Sequence, residues 1–284
     1  MEKFLVAVDF SESSKNTFDH ALSVAEKFNA KLILMWVENS NSVKNLKLEK
    51  GVDIHVAVNE RFDNLIASIS NVAIRNNVEV RLEKGDTVNT VVKSAKKLEI
   101  NLIFEGSHGA HGFRKYLLGS IANKIIAEAT CPVITVRHNR GVNRALKVIV
   151  IPIDSTLDTR QKLPLSVKLA RLFDAEIHLL GLYFNNVDNI KRLINSYTEQ
   201  AETYCIKNGV KNVVVHYIKT EDGARTILNY AKKVDAGLIS VMIDAELGGS
   251  MWSLRSQGKQ FVNQSPIPIL SIANRELIKS RPGL

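Results

Sequence analysis

The sequence contains little cysteine, and the arrangement of its cysteines suggests neither a covalent nor a metal framework. The two cysteines, Cys131 and Cys205, are far apart and form no Cys-x-x-Cys pair. Disulfide-rich domains and zinc modules depend on several closely spaced cysteines. We therefore expect no disulfide framework and no zinc site, and we interpret both cysteines as buried thiols.

Long apolar segments are also absent. No stretch approaches the roughly 20 apolar residues that span a bilayer. Residues 1–9 form a short apolar run ended by an acid, without the longer apolar region and the small-residue cleavage pattern of a signal peptide. This run is predicted to be a strand, and we expect a soluble, cytoplasmic protein with no membrane partner.

Charge is not concentrated in one part of the chain. The formal net charge is +9, divided as +3 over residues 1–140 and +6 over residues 141–284. No basic run is interleaved with aromatic residues, which would be typical of a nucleic-acid surface. We interpret the excess as a solvated surface and expect no nucleic-acid partner.

Two familiar catalytic signatures are missing as well. The sequence has no Gly-x-Ser-x-Gly nucleophile elbow and no Gly-Lys-Ser/Thr of a Walker loop. His108 and His111 are candidate metal ligands, but no third ligand accompanies them, so a loop role is favoured. No dedicated catalytic residue is identified, and His108 is the loop's one candidate for a base.

What the sequence does contain is a regular alternation of strands and helices. In the first half, strands are predicted over residues 4–8, 31–37, 78–82, 102–104 and 132–136, with a loop over 39–50 and one long helix over 54–72. This alternation favours an α/β fold with a parallel sheet covered on both faces. Because such sheets bind ligands at the carboxyl ends of their strands, Asp9, Val37, Gly85 and Gly106 are expected on one rim.

The second half repeats this order. Residues 148–154 match residues 5–9 in type, 177–182 match 32–37, and 268–272 match 132–136. Two domains are therefore predicted, over residues 1–140 and 144–284, joined by a polar, glycine-bearing link.

A glycine-rich segment of the first half has the composition of a phosphate-binding loop. Polyphosphate needs closely approaching backbone N–H groups and gains from the positive end of a helix dipole. A tight loop at a strand end, followed by a hydroxyl at the start of a helix, would supply both. The residues concerned are Gly106, Ser107, His108, Gly109, Gly119 and Ser120.

The second half lacks this segment. Counted back from Pro268 without a gap, the counterparts of Gly106, Gly109 and Gly119 are Met242, Ala245 and Arg255. Such side chains would fill or obstruct the space where backbone should approach phosphate. The acid at the end of the first strand persists, as Asp9 and Asp154.

The spacing of the loop, Gly-x-x-Gly, nine residues and Gly-Ser, resembles the ATP-binding signature of the universal stress protein family. Residues 8–12 and 131–133 are similar to that family's first-strand and last-strand segments. The resemblance extends over the whole chain as two successive family domains, the tandem type. It implies two Rossmann-like (adenine nucleotide alpha hydrolase-like) domains, each a five-stranded parallel sheet flanked by helices. The last strands would pair the domains within the chain, with a homodimer as a further option.

The resemblance also implies roles for individual residues. Asp9 would contact the nucleoside, and the main chain of Val37 would bind adenine, although Asp9 is equally well explained as an acid at a helix entry. Gly85 matches a position where the chain passes near the nucleotide. The phosphates would lie against Gly106, Gly109, Gly119 and Ser120, with Ile121 adjacent and Ser107 and His108 as added donors.

The function implied is that of an ATP-binding stress-response regulator or sensor with an unidentified protein partner. The cofactor would be ATP, alone or with a divalent metal ion such as Mg²⁺, at one nucleotide per chain. Two alternatives stay open: a nucleotide-free interaction scaffold with a vestigial loop, and a slow ATPase.

Overall fold

The computed structural model describes residues 1–106, 120–137, 146–243 and 265–273. Strands and helices alternate along these ranges, as the α/β prediction requires. Contacts divide the chain into two compact units, unit 1 with Met1–Ala145 and Val262–Leu270, and unit 2 with Leu146–Phe261 and Ser271–Leu284. The α/β fold with a mostly parallel sheet flanked by helices is confirmed.

Unit 1 contains five parallel strands and the helices between them. In chain order its elements are β1 (Lys3–Ala7), α1 (Glu12–Phe28), β2 (Lys31–Glu38), α2 (Ser40–Asn45), α3 (Ile54–Ala67), α4 (Val72–Arg75), β3 (Val78–Lys84), α5 (Thr87–Lys97), β4 (Leu102–Gly106), α6 (Ser120–Glu128) and β5 (Val133–Val136). The strands lie in the order β3-β2-β1-β4-β5. All four neighbouring pairs are parallel.

The core of unit 1 follows from the apolar strand segments. In the central strands β1, β2 and β4 every residue that is not at a strand terminus is buried, because helices cover both faces of such a sheet. Helix α1 begins after Ser11, whose hydroxyl accepts a hydrogen bond from Ser14 N at 3.2 Å, and it ends at the left-handed residue Asn29. Its buried face includes the predicted Phe18, Ala21 and Ala25.

Two local predictions for unit 1 are wrong. The stretch 39–50 is not all loop, because Asn39 and Ser42 form a capping box that starts the short helix α2. The long helix expected over residues 54–72 is interrupted, since α3 ends at Ala67 and Asn71 caps the separate helix α4. Hydrophobic periodicity did not reveal the start of α2 or the break before α4. Both depend on an asparagine side chain that accepts hydrogen bonds from backbone N–H groups.

Unit 2 repeats the architecture. Its elements are β6 (Val148–Ile153), α7 (Leu163–Phe173), β7 (Glu176–Tyr183), α8 (Asp188–Lys207), β8 (Val213–Lys219), α9 (Gly223–Lys233) and β9 (Leu238–Ile243). The last strand, β10 (Ile269–Ala273), is divided between the two units after Leu270. Strands β9, β6, β7 and β8 are adjacent in that order and the pairs are parallel. The sequence comparison predicted the strands β6, β7 and β10, while α8, β8 and α9 were found only in the structure.

The strand registers of the two units coincide. Phe4 of β1 lies opposite Leu32 and Leu102, and Ile149 of β6 lies opposite Ile177 and Leu238. Position by position, β1 therefore corresponds to β6 and β4 to β9. Gly106 of β4 and Met242 of β9 are therefore equivalent positions in the two units, in agreement with the count from the sequence.

The cysteines differ in environment. Cys205 is buried, and burial raises the pKa of its thiol to about 12. Cys131 is half-buried, so the interpretation of both residues as buried thiols is right for Cys205 and wrong for Cys131. Within the described ranges, no helix is both long enough and apolar enough to cross a membrane.

Candidate functional site

The carboxyl ends of β1, β2 and β4 form one edge of the unit 1 sheet. In the parallel registers Ala7 lies opposite Met35, and Val6 lies opposite Phe104. Asp9, Val37 and Gly106 each lie at or just past the end of one of these strands. The structure thus brings the three predicted residues to the same edge, where α/β proteins bind ligands.

Asp9 shapes the turn between β1 and α1. Its Oδ1 accepts hydrogen bonds from Ser11 N at 3.0 Å and from Ser11 Oγ at 2.5 Å. In unit 2, Asp154 Oδ1 accepts from Thr156 N and Thr156 Oγ1 at the same two distances. Since both units keep this turn, it is a structural role of the acid, and any ligand contact by Asp9 is additional to it.

The residue after Asp9 has an unusual backbone conformation. Phe10 has φ of 60°, which for a bulky side chain costs on the order of 1–2 kcal/mol. Its ring packs edge-on against Phe62 at 5.0 Å between centroids, with the Arg61 guanidinium 5.6 Å from the ring centre. Strained residues cluster at ligand sites, and the corresponding residue of unit 2, Ser155, is not left-handed.

Val37 presents its main chain to the edge. The Met35 carbonyl accepts from Val8 N at 2.9 Å and therefore faces β1. Carbonyls two residues apart in a strand point to the same side, so the Val37 carbonyl faces that side beyond the end of β1. Asn39 Nδ2 donates to this oxygen at 3.4 Å. The Val37 side chain itself is buried.

Gly85 lies at the end of β3. Its N–H donates to Glu38 O at 3.0 Å, and its φ of +137° is one that side-chain-bearing residues rarely adopt. The same hydrogen bond in unit 2 joins Thr220 N to Tyr183 O at 2.9 Å. The strand end is therefore common to both units, and the glycine conformation belongs to unit 1.

Gly106 packs closely against helix α1. A Cβ atom built on it would lie 3.1 Å from Ser13 Oγ and 3.3 Å from Thr17 Oγ1. Such contacts are too tight without movement of the helix side chains. A larger residue here would require the Ser13 and Thr17 side chains to move by a few tenths of an ångström, so Gly106 favours close packing at the strand end whatever its role toward a ligand.

Helix α6 approaches the site through its N-terminus. It begins at Ser120, and the next residue, Ile121, is exposed. The first N–H groups of a helix have no partner within the helix, so its start attracts anions. Ser107, His108, Gly109 and Gly119 lie outside the described residues.

Glu105 is a further residue at this edge, which the sequence patterns did not single out. It is buried on β4 directly before Gly106, and its Oε2 has no hydrogen-bond partner among the residues the structure describes. Burial, with the nearby Asp9 charge adding to it, raises the pKa of this carboxyl to about 8. The sequence does contain one signal that could have identified Glu105, because this acid directly follows the apolar strand residues 102–104.

At the equivalent edge of unit 2, larger side chains stand at two positions. Met242, at the position of Gly106, is buried. Helices α1 and α7 end at the left-handed residues Asn29 and Asp174, so Lys162 takes the position of Thr17. Lys162 is buried, and its Nζ donates to Thr159 O at 2.5 Å.

The charge of Lys162 is balanced by an acid of the same edge. Burial lowers the pKa of the Lys162 ammonium to about 8, and the neighbouring Asp154 carboxylate partly opposes this shift. A methionine and a lysine thus occupy, in unit 2, the positions of a glycine and a threonine in unit 1.

The described part of the unit 1 edge combines main-chain and helix-end groups with a protonated carboxyl. It offers a main-chain carbonyl at Val37, a glycine at the end of β4 and a helix N-terminus at Ser120, while the raised pKa of Glu105 keeps that carboxyl neutral near pH 7. Within the described ranges, no three His, Cys, Asp or Glu residues are grouped so as to hold a metal ion.

Comparison with known proteins identifies the family. Residues 1–137 match the model of the Universal stress protein family. The chain is 35% identical over 140 residues to Universal stress protein A homolog 1 of Coxiella burnetii, an alignment that covers 46% of this chain and 93% of that protein. The chain belongs to the universal stress protein family. A universal stress protein of Methanocaldococcus jannaschii is 27% identical to this family member over 139 residues, 48% of this chain and 82% of the relative.

Solved structures of universal stress proteins have the fold of the whole chain. One from Archaeoglobus fulgidus covers 95% of this universal stress protein and 98% of its own chain, with a TM-score of 0.67 and 20% identity. One from Pseudomonas aeruginosa, a putative universal stress protein, covers 96% and 93%, with a TM-score of 0.68 and 15% identity. A universal stress protein solved in complex with cAMP covers 49% of this chain, with 24% identity and a TM-score of 0.37.

Proposed function

We propose that this protein is an ATP-binding stress-response regulator or sensor that acts in the cytoplasm and binds one nucleotide per chain. Membership in the universal stress protein family supports the role in stress response. In this proposal residues 1–140 form the nucleotide-binding domain. Residues 144–284 form a degenerate second domain of a tandem.

The asymmetry between the two edges carries the proposal. Both units keep the same strand registers and the same aspartate turn, so they offer the same scaffold for a ligand. Only unit 1 keeps small residues at two facing positions, Gly106 at the end of β4 and Thr17 on helix α1. Unit 2 has the buried Met242 and Lys162 there. Space for a ligand is therefore expected in unit 1 and not in unit 2.

Each part of the nucleotide has a proposed partner. Adenine binds the main chain of Val37, and the nucleoside lies against Asp9, with Gly85 nearby. The triphosphate lies along the loop after β4 and the start of α6, where backbone N–H groups and the helix dipole favour anions. The residues proposed there are Gly106, Ser107, His108, Gly109, Gly119, Ser120 and Ile121, and they bind ATP alone or with a divalent ion such as Mg²⁺.

The proposal is for binding and not for turnover. A phosphate cradle positions charge, whereas hydrolysis also requires a group that orients water. Nucleotide occupancy would instead change the conformation of the edge and the choice of a protein partner.

Isothermal titration calorimetry with ATP, ADP and AMP tests the proposal on the full chain. We expect one ATP site per chain. Gly106→Met, which introduces the unit 2 residue, should weaken ATP binding at least tenfold, and Gly119→Arg should do the same. The matched control Met242→Leu should leave ATP binding unchanged, because it alters only the corresponding edge of unit 2. The absence of ATP affinity below millimolar, or two sites per chain, would contradict the proposal.

The same protein samples, assayed for ATP binding and for phosphate release, separate the regulator from the scaffold and from the slow ATPase. A scaffold with a vestigial loop predicts no nucleotide binding by the wild type. A slow ATPase predicts phosphate release that His108→Ala abolishes while ATP binding persists. Binding without release supports the regulator.

A further inference from the structure

Glu105 is a carboxyl group inside the protein at the end of a central strand. Glu105 follows three buried apolar residues in β4, and only 8% of its surface is exposed. Among the described residues, nothing forms a hydrogen bond with its Oε2. Buried polar groups are almost always hydrogen-bonded, so an exception at a ligand edge calls for a partner.

The surroundings of Glu105 point to the candidate site. The register Val6–Phe104 places Glu105 beside Ala7, and Asp9 follows two residues later on β1. Asp9 is close enough for its charge to act on the Glu105 carboxyl. On the opposite side of β4, Gly106 contacts Ser13 and Thr17 of α1, so the two residues serve different faces of the strand.

Unit 2 has different groups around its corresponding aspartate. There the position of Glu105 is occupied by Val241, and Asp154 has the buried ammonium of Lys162 in its vicinity. Unit 1 has the reverse combination, a second carboxyl at Glu105 and a threonine at the lysine position. In unit 1 the aspartate is therefore accompanied by a second carboxyl group, and in unit 2 by the buried Lys162 ammonium.

The chemistry of the pair matches a hydroxyl group. A carboxyl that keeps its proton has one O–H donor, whereas an ionised carboxylate only accepts. Asp9 accepts hydrogen bonds through its side-chain oxygen, and Glu105 keeps its proton near pH 7. The pair therefore presents an acceptor and a donor. A hydroxyl both donates and accepts, so it satisfies the two groups together.

The strand order indicates which hydroxyl this is. Val37 lies at the end of β2, Asp9 at the end of β1, and Gly106 at the end of β4, in the sequence β2-β1-β4 across the sheet. With adenine at Val37 and phosphates beyond Gly106, as in the proposed function, the sugar lies over β1. It is then adjacent to both Asp9 and Glu105.

We propose that Glu105, together with Asp9, recognises a ribose hydroxyl of the bound nucleotide and so selects ribonucleotides over deoxyribonucleotides. This inference rests on the proposed function and adds to it a specificity-determining residue. An enzyme or binding site built to hydrogen-bond a hydroxyl discriminates strongly against the analogue that lacks it, because its own polar groups then remain unpaired.

The test compares ATP with 2′-deoxy-ATP and 3′-deoxy-ATP by calorimetry on three forms of the full chain. For the wild type we expect at least one deoxy analogue to bind tenfold or more weakly than ATP. Glu105→Val introduces the unit 2 residue. In this variant the affinities for ATP and for the discriminated deoxy analogue should lie within about twofold of each other, because ATP binding is weakened more than binding of the analogue. Glu105→Gln keeps a hydrogen-bond donor of similar shape and should keep most of the discrimination.

The outcomes distinguish this inference from the proposed function. If the wild type does not bind ATP, the proposed function fails and the inference fails with it. If the wild type binds ATP but accepts both deoxy analogues equally, or if Glu105→Val keeps the discrimination, the inference alone is overturned. Circular dichroism and thermal unfolding of each variant establish that the compared proteins are folded.

Discussion

Gly106 lies so close to the first turns of α1 that a Cβ atom on it would stand 3.1 Å from Ser13 Oγ. The Ser13 hydroxyl is buried and has no hydrogen-bond partner in the described part of the chain. The loop glycine therefore has a packing role that is independent of any ligand.

Gly106→Ala is expected to lower the free energy of unfolding by about 1 kcal/mol, because the new methyl group crowds Ser13 and Thr17. The double variant Gly106→Ala/Ser13→Ala should recover most of this loss, since removal of the Ser13 hydroxyl opens the required space. Urea unfolding of the two variants and of Ser13→Ala measures the coupling. Additive effects would show that Ser13 is not the obstacle.

Replacement of Glu105 should change how stability depends on pH. The pKa of this carboxyl is about 8 in the folded protein and 4.5 in its ordinary state, so the folded protein holds the proton more tightly between these values. Wild-type stability is then lost as pH rises from about 4.5 to 8, by up to about 1.4 kcal/mol per pH unit. Glu105→Gln should flatten this slope, as measured by urea unfolding at pH 5 to 8.

The control for that experiment is Glu60→Gln, because Glu60 is exposed. Its pH slope should match that of the wild type. A Glu105→Gln slope that is also unchanged would show that Glu105 ionises normally in the folded state.

His20 should make the protein sensitive to acid. Its ring is buried and packs edge-on against Phe104, and burial lowers the pKa to about 4. The unfolded chain then binds the proton more tightly between about pH 6.5 and 4, so stability falls as pH falls through that range. His20→Leu, which introduces the residue that unit 2 has as Leu165, should remove this loss in unfolding measurements at pH 7, 6, 5 and 4.

The matched control is His55→Leu, since the His55 side chain is mostly exposed and pairs with Glu38. This variant should keep the acid loss. Equal acid slopes for wild type and His20→Leu would contradict the assignment of the sensitivity to His20.

Lys162 should be costly to remove from unit 2. Lys162→Thr, the unit 1 residue, takes away the cation near the buried Asp154 carboxylate, and loss of one partner of a buried charge pair typically costs about 3 kcal/mol. The double variant Lys162→Thr/Asp154→Asn should be less destabilised than the sum of the single variants. Strict additivity in a double-mutant cycle of unfolding free energies would mean that the two groups do not interact.

The candidate site was predictable from the sequence where it depends on strand ends. The apolar runs locate where β1, β2 and β4 stop, and parallel pairing then brings Asp9, Val37 and Gly106 to one edge. Glu105 and the left-handed Phe10 were not predictable, because their significance lies in burial and backbone geometry. The exchange of Thr17 for Lys162 also became visible only once α1 and α7 were aligned by their shared ends. The pairing of the two halves through their last strands stays a prediction.

The sequence alone was sufficient to predict the α/β class and the repeated order of elements. It also showed that the Gly-x-x-Gly, nine residues, Gly-Ser spacing occurs in the first half only. These features are local, since hydrophobic periodicity and glycine content act within a few residues along the chain. Only the tertiary structure decided that Gly106 packs against Ser13, that Glu105 shares an edge with Asp9, and that Lys162 lies near Asp154. Such relationships join residues far apart in sequence, and their energies come from burial, close packing and charge in a low-dielectric interior, which exist only in the folded protein.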